Sequence, residues 1–182
     1  SQRLYLRTPL AQGAEVPLER AQANYLVNVL RLSAGAAVRV FNGEDGEWQA
    51  ILVEAGRKSW RLDIDRQTRP QPPPGDLDYL FVPLKQARLD YMIEKAVEMG
   101  AGVLQPILTH HTQMHRLNTA KTKRYAIEAA EQCGILAIPQ VREPVRLMAL
   151  LESWDPSRRI IYCDEGAETH NPIEALTAVR EK

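Results

Sequence analysis

Three side chains in the run EAAEQCGILAIP (128–139) are spaced to act together: Glu128, Glu131 and Gln132. Separations of three and four residues put two carboxyl groups and an amide on one helical face. Such a set can take a proton or orient a neighbour by hydrogen bonding, and Glu131 and Glu98 are the carboxylates able to serve as a general base. The same spacing also describes a solvated acidic stripe, and nothing inside the run separates the two readings. Ala126, Ala129, Ala130 and Cys133 offer a narrow surface for close packing, and Gly134 can take the left-handed conformation that closes a helix.

A second group is cationic. From Met99 through Ile127 the chain holds no Asp or Glu, while His110, His111, His115, Arg116, Lys121, Lys123 and Arg124 crowd the later part of that interval. Such a patch attracts a polyanion, as RNA phosphates would be attracted, and a solvated basic loop is the alternative. Net charge does not help, because 23 Lys plus Arg balance 23 Asp plus Glu. His110 and His111 are adjacent, so on a strand they point to opposite faces and cannot share a metal; together with His115 they could, but a basic loop is the favoured reading. No metal-ligand spacing, P-loop, G-x-G-x-x-G or G-x-S-x-G survives inspection, and no metal is expected. Cys133 and Cys163 lie in mainly apolar surroundings without Cys-x-x-Cys spacing and read as buried free thiols. No apolar run approaches the roughly 20 residues that span a bilayer, and no signal-peptide pattern opens the chain. A cytoplasmic protein with no membrane partner is expected.

These groups need elements to hold them. With 182 residues and 45% apolar composition there is enough chain for one ample core or two small ones, and the punctuation favours two. RLYLR (3–7) alternates like a half-buried strand. Arg20 to Leu32 reads as an amphipathic helix through Ala23, Leu26, Val27 and Leu30, with Arg31 at its cation-favouring end. VRVF, an Asn42-Gly43 turn, the acidic loop Glu44 to Glu47, WQAILVEA and WRLDIDR follow as short β segments. Residues 1–69 therefore read as a small β domain, and the proline-rich residues 70–75 as a stiff spacer. In residues 76–182 strands and helices alternate: DYLFVPL, Gln86 to Met99, VLQPIL, Thr119 to Cys133, AIPQV, Arg146 to Glu152 and RIIYC. That rhythm predicts a parallel α/β sheet. Ligands of open α/β sheets collect beyond the carboxyl ends of strands, which puts Lys85, Thr109 to Thr112 and Cys163 to Gly166 at one rim.

Four ordered segments, YLVNVLRLSAG (25–35), VFNGEDGEWQA (40–50), PLKQARLDYMIEKAVEMGAGVLQPILTHHT (83–112) and EAAEQCGILAIP (128–139), resemble the RsmE-type 16S ribosomal RNA uridine-N3 methyltransferases. The resemblance implies an N-terminal PUA-like RNA-binding barrel followed by an α/β SPOUT, or trefoil-knot, methyltransferase domain. It further implies S-adenosylmethionine as cofactor, 16S rRNA or the small ribosomal subunit as substrate, and a homodimer. Where the family usually reads His-His and Gly-Asp, this chain has Asn24-Tyr25 and Gly35-Ala36; His111 and Ile135 stand where many members carry Arg. The family's GPEGG-type cofactor loop and the LG-x-R-I-L-R segment of the knot would follow Lys182, so the knot domain is expected to be incomplete in these residues. RIIYCDEG (159–166) would then bring Cys163, Asp164 and Glu165 beside the methionine or ribose portion of the cofactor. The cations expected to hold RNA are Arg31, Lys85, Lys95, His110, His111, Arg116, Lys121, Lys123 and Arg124, with Glu98, Glu131 and Gln132 in support. Lys95 has a second reading as the i, i+3 partner of Glu98. A non-catalytic RNA-binding or ribosome-assembly module is the alternative to the enzyme.

Overall fold

The computed structural model describes residues 2–57, 59–112, 117–164, 166 and 171–180. The first half forms a five-stranded sheet in the order β1-β3-β4-β5-β2, from β1 (Arg3–Tyr5), β2 (Glu15–Pro17), β3 (Ala37–Phe41), β4 (Glu47–Gly56) and β5 (Ser59–Arg69). β1 runs parallel to β3, and the other pairs are antiparallel. Alternation along these strands sends Leu4, Val38, Val40, Ala50, Leu52, Leu62 and Ile64 into one core, where Leu26 joins them fully buried. The Asn42-Gly43 turn is tied by its own side chain: Asn42 Oδ1 accepts from the Glu44 and Asp45 N–H groups at 2.9 and 2.8 Å.

The helix expected over Arg20 to Leu32 is shorter and wider than its periodicity suggests. α1 covers only Arg20–Asn24, and the chain then loosens into a π-helical turn over Tyr25–Val29. Burial of Leu26 alone among these turn residues leaves no apolar stripe long enough to enforce regular α geometry.

After the extended proline-rich segment, β6 (Asp78–Phe81), β7 (Val103–Leu108) and β8 (Gln140–Val141) make a parallel sheet, with β9 (Val145–Arg146) pairing with the far end of β7. α2 (Gln86–Glu98) and α3 (Thr119–Cys133) pack together against it. Leu89, Ile93, Ala96 and Val97 from α2 meet Ala126, Ala129 and Ala130 from α3 in a second core. That core also includes Phe41, with Tyr5 packed against it, so the β domain contributes to it directly. α4 (Leu147–Glu152) and α5 (Pro172–Arg180) complete the described elements. No described helix is long and apolar enough to cross a membrane.

Two expectations are corrected here. RIIYC (159–163) forms no strand: Ile160, Ile161 and Tyr162 are 49%, 60% and 81% exposed, because no strand among the described residues lies alongside to complete a ladder. Cys133 and Cys163 are both exposed rather than buried; Cys133 sits at the last, solvent-facing turn of α3, and Cys163 in this unpaired run.

The two domains' connection passes very close to the α2–β7 turn. A Cβ on Gly75 would collide with the Gly100 carbonyl, and one on Gly102 with the Gly75 carbonyl. Both positions therefore need glycine for space. Gly102→Ala is expected to lose about 1–3 kcal/mol through this overpacking; an unchanged urea midpoint would show that the contact relaxes freely.

Candidate functional site

α3 carries the candidate groups, and both its ends are well defined. Asn118 Oδ1 accepts the Lys121 N–H at 2.9 Å at the start, and Gly134 closes the end at φ 74°. The last carbonyls of a helix lack intrahelical donors and favour a cation. Arg3 of β1 supplies it: Nη1 donates to the Ala130 and Glu131 carbonyls at 2.6 and 3.0 Å, and Nη2 to the Ile135 carbonyl at 3.2 Å. Its Nε donates to Glu47 Oε2 at 3.0 Å, and the guanidinium lies 4.5 Å from the centre of the Phe41 ring. Arg69 Nη1 adds a bond to the Gly134 carbonyl at 2.8 Å. Glu47, only 6% exposed, is also held by the Thr68 hydroxyl at 2.9 Å. The first domain thus grips the C-terminal end of α3.

Beside this grip lies a groove of about 450 Å³ lined by Gln2, Arg3, Tyr25, Glu128, Glu131 and Gln132. Through Glu128 and Gln132 it adjoins a second hollow of about 280 Å³, bordered by Asp90, Tyr91, Glu94 and Tyr125. Glu131 Oε1 accepts the Tyr5 N–H at 2.7 Å. Burial raises the Glu131 carboxyl above its ordinary value of 4.5, helped by the nearby Glu128 charge and opposed by the Tyr5 hydrogen bond and Arg3. Glu131 is therefore an interdomain acceptor. The earlier half of α3 is cationic: Arg124 Nε lies 3.5 Å from Glu128, Lys121 and Arg124 both flank the Tyr125 ring at 5.5 Å, and Lys123 is exposed.

α3 thus joins Lys121, Lys123, Arg124, Glu131 and Gln132 in one element. Lys95 takes the ion pair its spacing allows, donating to Glu98 at 2.7 Å and Glu94 at 3.3 Å, which raises its pKa above the ordinary lysine value. Glu98 is lowered by the same bond from Lys95, then by one from the Cys133 thiol at 3.3 Å. Lys85 stands exposed at the start of α2, its carbonyl receiving the Arg88 and Leu89 N–H groups. Arg31 is exposed in a left-handed backbone conformation, φ 57°. His110 and His111 lie in a turn, and their rings come together 5.1 Å apart at 56°. Cys163 and Asp164 are exposed, and Asp164 Oδ1 accepts the Gly166 N–H at 2.9 Å. Arg116 and Glu165 fall outside the described residues. No group of three metal-ligating side chains occurs among the described residues. Sequence reasoning missed Arg3 and Tyr25; the alternation of RLYLR marks Arg3 as pointing away from its own core, but not towards what.

A β domain clamped to a parallel α/β domain, with a basic helix running from their junction, has the form of a two-domain RNA-modifying protein. Residues 71–182 match the RNA methyltransferase domain family, and residues 18–65 match the RNA methyltransferase PUA domain. The chain belongs to this RNA methyltransferase family, in its RsmE-type branch with a SPOUT fold behind a PUA-like domain. It is 25% identical over 177 residues to ribosomal RNA small subunit methyltransferase E of Rickettsia conorii, covering 97% of this chain and 72% of that one. Against the Synechocystis protein of the same name it is 28% identical over 141 residues, 76% of this chain and 46% of the relative. The chain thus spans about half to three-quarters of these relatives' length. Among solved structures, the Neisseria gonorrhoeae methyltransferase E bound to S-adenosyl methionine superposes with a TM-score of 0.75 at 22% identity, covering 85% of this chain and 66% of that one. A probable rRNA-methyltransferase from Porphyromonas gingivalis gives 0.72 at 25%, covering 88% and 69%.

Glu131 makes the grip sensitive to pH. Its folded-state pKa lies above the unfolded one, so the folded protein holds the proton more tightly and loses stability as pH rises from 4.5 through the folded value. Glu131→Gln keeps the acceptor for Tyr5 but no charge. The stability difference, Gln variant minus wild type, is expected to grow across that window and to be flat on either side. A difference independent of pH, in denaturation measured from pH 4 upward, would contradict the burial of an ionised Glu131.

Proposed function

We propose that the protein takes part in S-adenosylmethionine-dependent methylation of 16S ribosomal RNA at N3 of a uridine. The observation that carries this reading is the match of residues 71–182 to the RNA methyltransferase domain family, on a fold whose α3 turns Lys121, Lys123 and Arg124 outward. The names of the relatives support the small-subunit rRNA as substrate, and the cofactor-bound neighbour supports the methyl donor.

Bound cofactor supplies a sulfonium methyl group. The chain's own residues hold RNA and shape the approach: uridine N3 must lose its proton and meet the methyl in line, which a cationic, hydrogen-bonding surround favours. Lys121, Lys123, Arg124, Lys85 and Arg31 are placed in this role as phosphate contacts, setting register without reading sequence. Asp164 is the carboxylate proposed to sit beside the cofactor's ribose: one oxygen is engaged by its own turn, and the other could accept from a hydroxyl, having no partner among the described residues. Glu98 is committed to Lys95 and Cys133 and supports α2 against α3. A homodimer belongs to the same proposal.

Replacing Lys121, Lys123 and Arg124 together by Ala is expected to weaken rRNA binding and reduce the slope of log affinity against log salt by roughly three contacts' worth; an unchanged slope would remove the patch from the RNA path. For the activity, the test is methyl transfer from S-adenosylmethionine to 16S rRNA, read as a reverse-transcription stop at N3-methyluridine. A stop at one uridine supports the enzyme. RNA binding without cofactor heat or methyl transfer would favour the binding module.

A further inference from the structure

The β domain presents an uncommon turn to the groove. α1 gives way at Tyr25 to the π-helical turn Tyr25–Val29, and two residues beyond it Arg31 holds the only positive φ found on a described non-glycine residue. π-turns and left-handed residues bearing a Cβ are both unfavourable, and they collect where a chain must present a group in a fixed direction. Here they are held by Leu30 N–H to the Tyr25 carbonyl and Leu32 N–H to the Leu26 carbonyl, both 2.9 Å, and by the full burial of Leu26. What the turn presents is Tyr25, 41% exposed and lining the groove with Glu128 and Gln132.

We propose that this groove is a nucleobase subsite, in which one unpaired base of the RNA stacks on the Tyr25 ring while its edge hydrogen-bonds to the Gln132 amide and the Glu128 carboxylate. The inference rests on the RNA reading above and adds where a single-stranded segment is held. Stacking on an aromatic ring accepts any base, whereas an amide, being both donor and acceptor, reads an edge. The Gln132 side chain makes no hydrogen bond to any described residue, and Arg124 approaches only one oxygen of Glu128. A basic peptide would use the same carboxylate and ring, but Arg124 already pairs with Glu128 at 3.5 Å, and Lys121 and Lys123 of the same helix draw a polyanion.

The test is fluorescence polarisation with this chain, an unpaired RNA of roughly ten nucleotides and a duplex of the same strand. Tyr25→Ala is expected to weaken the unpaired RNA about tenfold and leave the duplex unaffected, Tyr25→Phe to retain affinity, and Gln132→Ala to weaken the unpaired RNA a few-fold. The Phe variant separates loss of stacking from loss of fold. Equal affinity of wild type and Tyr25→Ala for the unpaired RNA would overturn the subsite; a continuing effect of the Lys121, Lys123 and Arg124 replacement would then leave the broader RNA reading standing. A lysine-rich peptide that binds wild type, and loses its affinity in Tyr25→Ala, would reassign the groove to a protein partner and also overturn the proposal.

Discussion

The C-terminal end of α3 meets the other domain: its own Gly134 and Ile135 N–H groups reach the Ala130 carbonyl, and the side-chain donors to the Glu131, Gly134 and Ile135 carbonyls come from that other domain. Arg3 donates to three carbonyls around the end of α3 and to Glu47 of its own sheet, with its face on Phe41. The planar guanidinium suits this, because its five N–H donors are fixed in direction. Both members of the Arg3–Glu47 pair are largely withdrawn from water, 12% and 8% exposed at the side chain. Such a pair contributes specificity of arrangement more than net stability, and it is its one-sided loss that is expensive.

From that grip the positions of the candidate groups follow. α3 is anchored at its C-terminal end by Arg3, Arg69 and the Tyr5–Glu131 bond, and at its flank by the alanines that let α2 pack closely. Its earlier turns, carrying Lys121, Lys123 and Arg124, project from a fixed base. The groove exists because Tyr25 of the β domain and Glu128 and Gln132 of α3 are held across from one another by the same contact. Phe41 and Tyr5 extend the α/β core into the β domain, edge to face at 5.7 Å, so the grip is apolar as well as ionic.

Local signals in the sequence carried the elements well. Thr119–Cys133 emerged with the boundaries its pattern indicated, because Asn118 and Gly134 are themselves the caps. The alternating strands and helices after residue 75 gave the parallel sheet, and the Lys95–Glu98 spacing gave the ion pair. What lay hidden was long-range. Arg3 finds its carbonyl partners 127 to 132 residues away, which no local pattern encodes. The π-turn at Tyr25 and the left-handed Arg31 run against propensity and are imposed by packing of Leu26. RIIYC has the composition of a strand yet has no neighbouring strand among the described residues, and strand propensity expresses a fit to an adjacent strand more than a backbone preference.

The most direct test of the interdomain grip is calorimetric unfolding of wild type and Arg3→Ala. The wild-type chain is expected to melt in one transition, because the two cores share Phe41, Tyr5 and the end of α3. Removing the guanidinium takes away the shortest ion pair of Glu47 and the side-chain donor to the Glu131 and Ile135 carbonyls, while the Thr68 hydroxyl still holds Glu47 and the Gly134 and Ile135 N–H groups still meet the Ala130 carbonyl; a loss of about 1–3 kcal/mol is expected, which should separate the β domain's transition from that of the α/β domain. A single transition at an unchanged temperature in the variant would contradict the account.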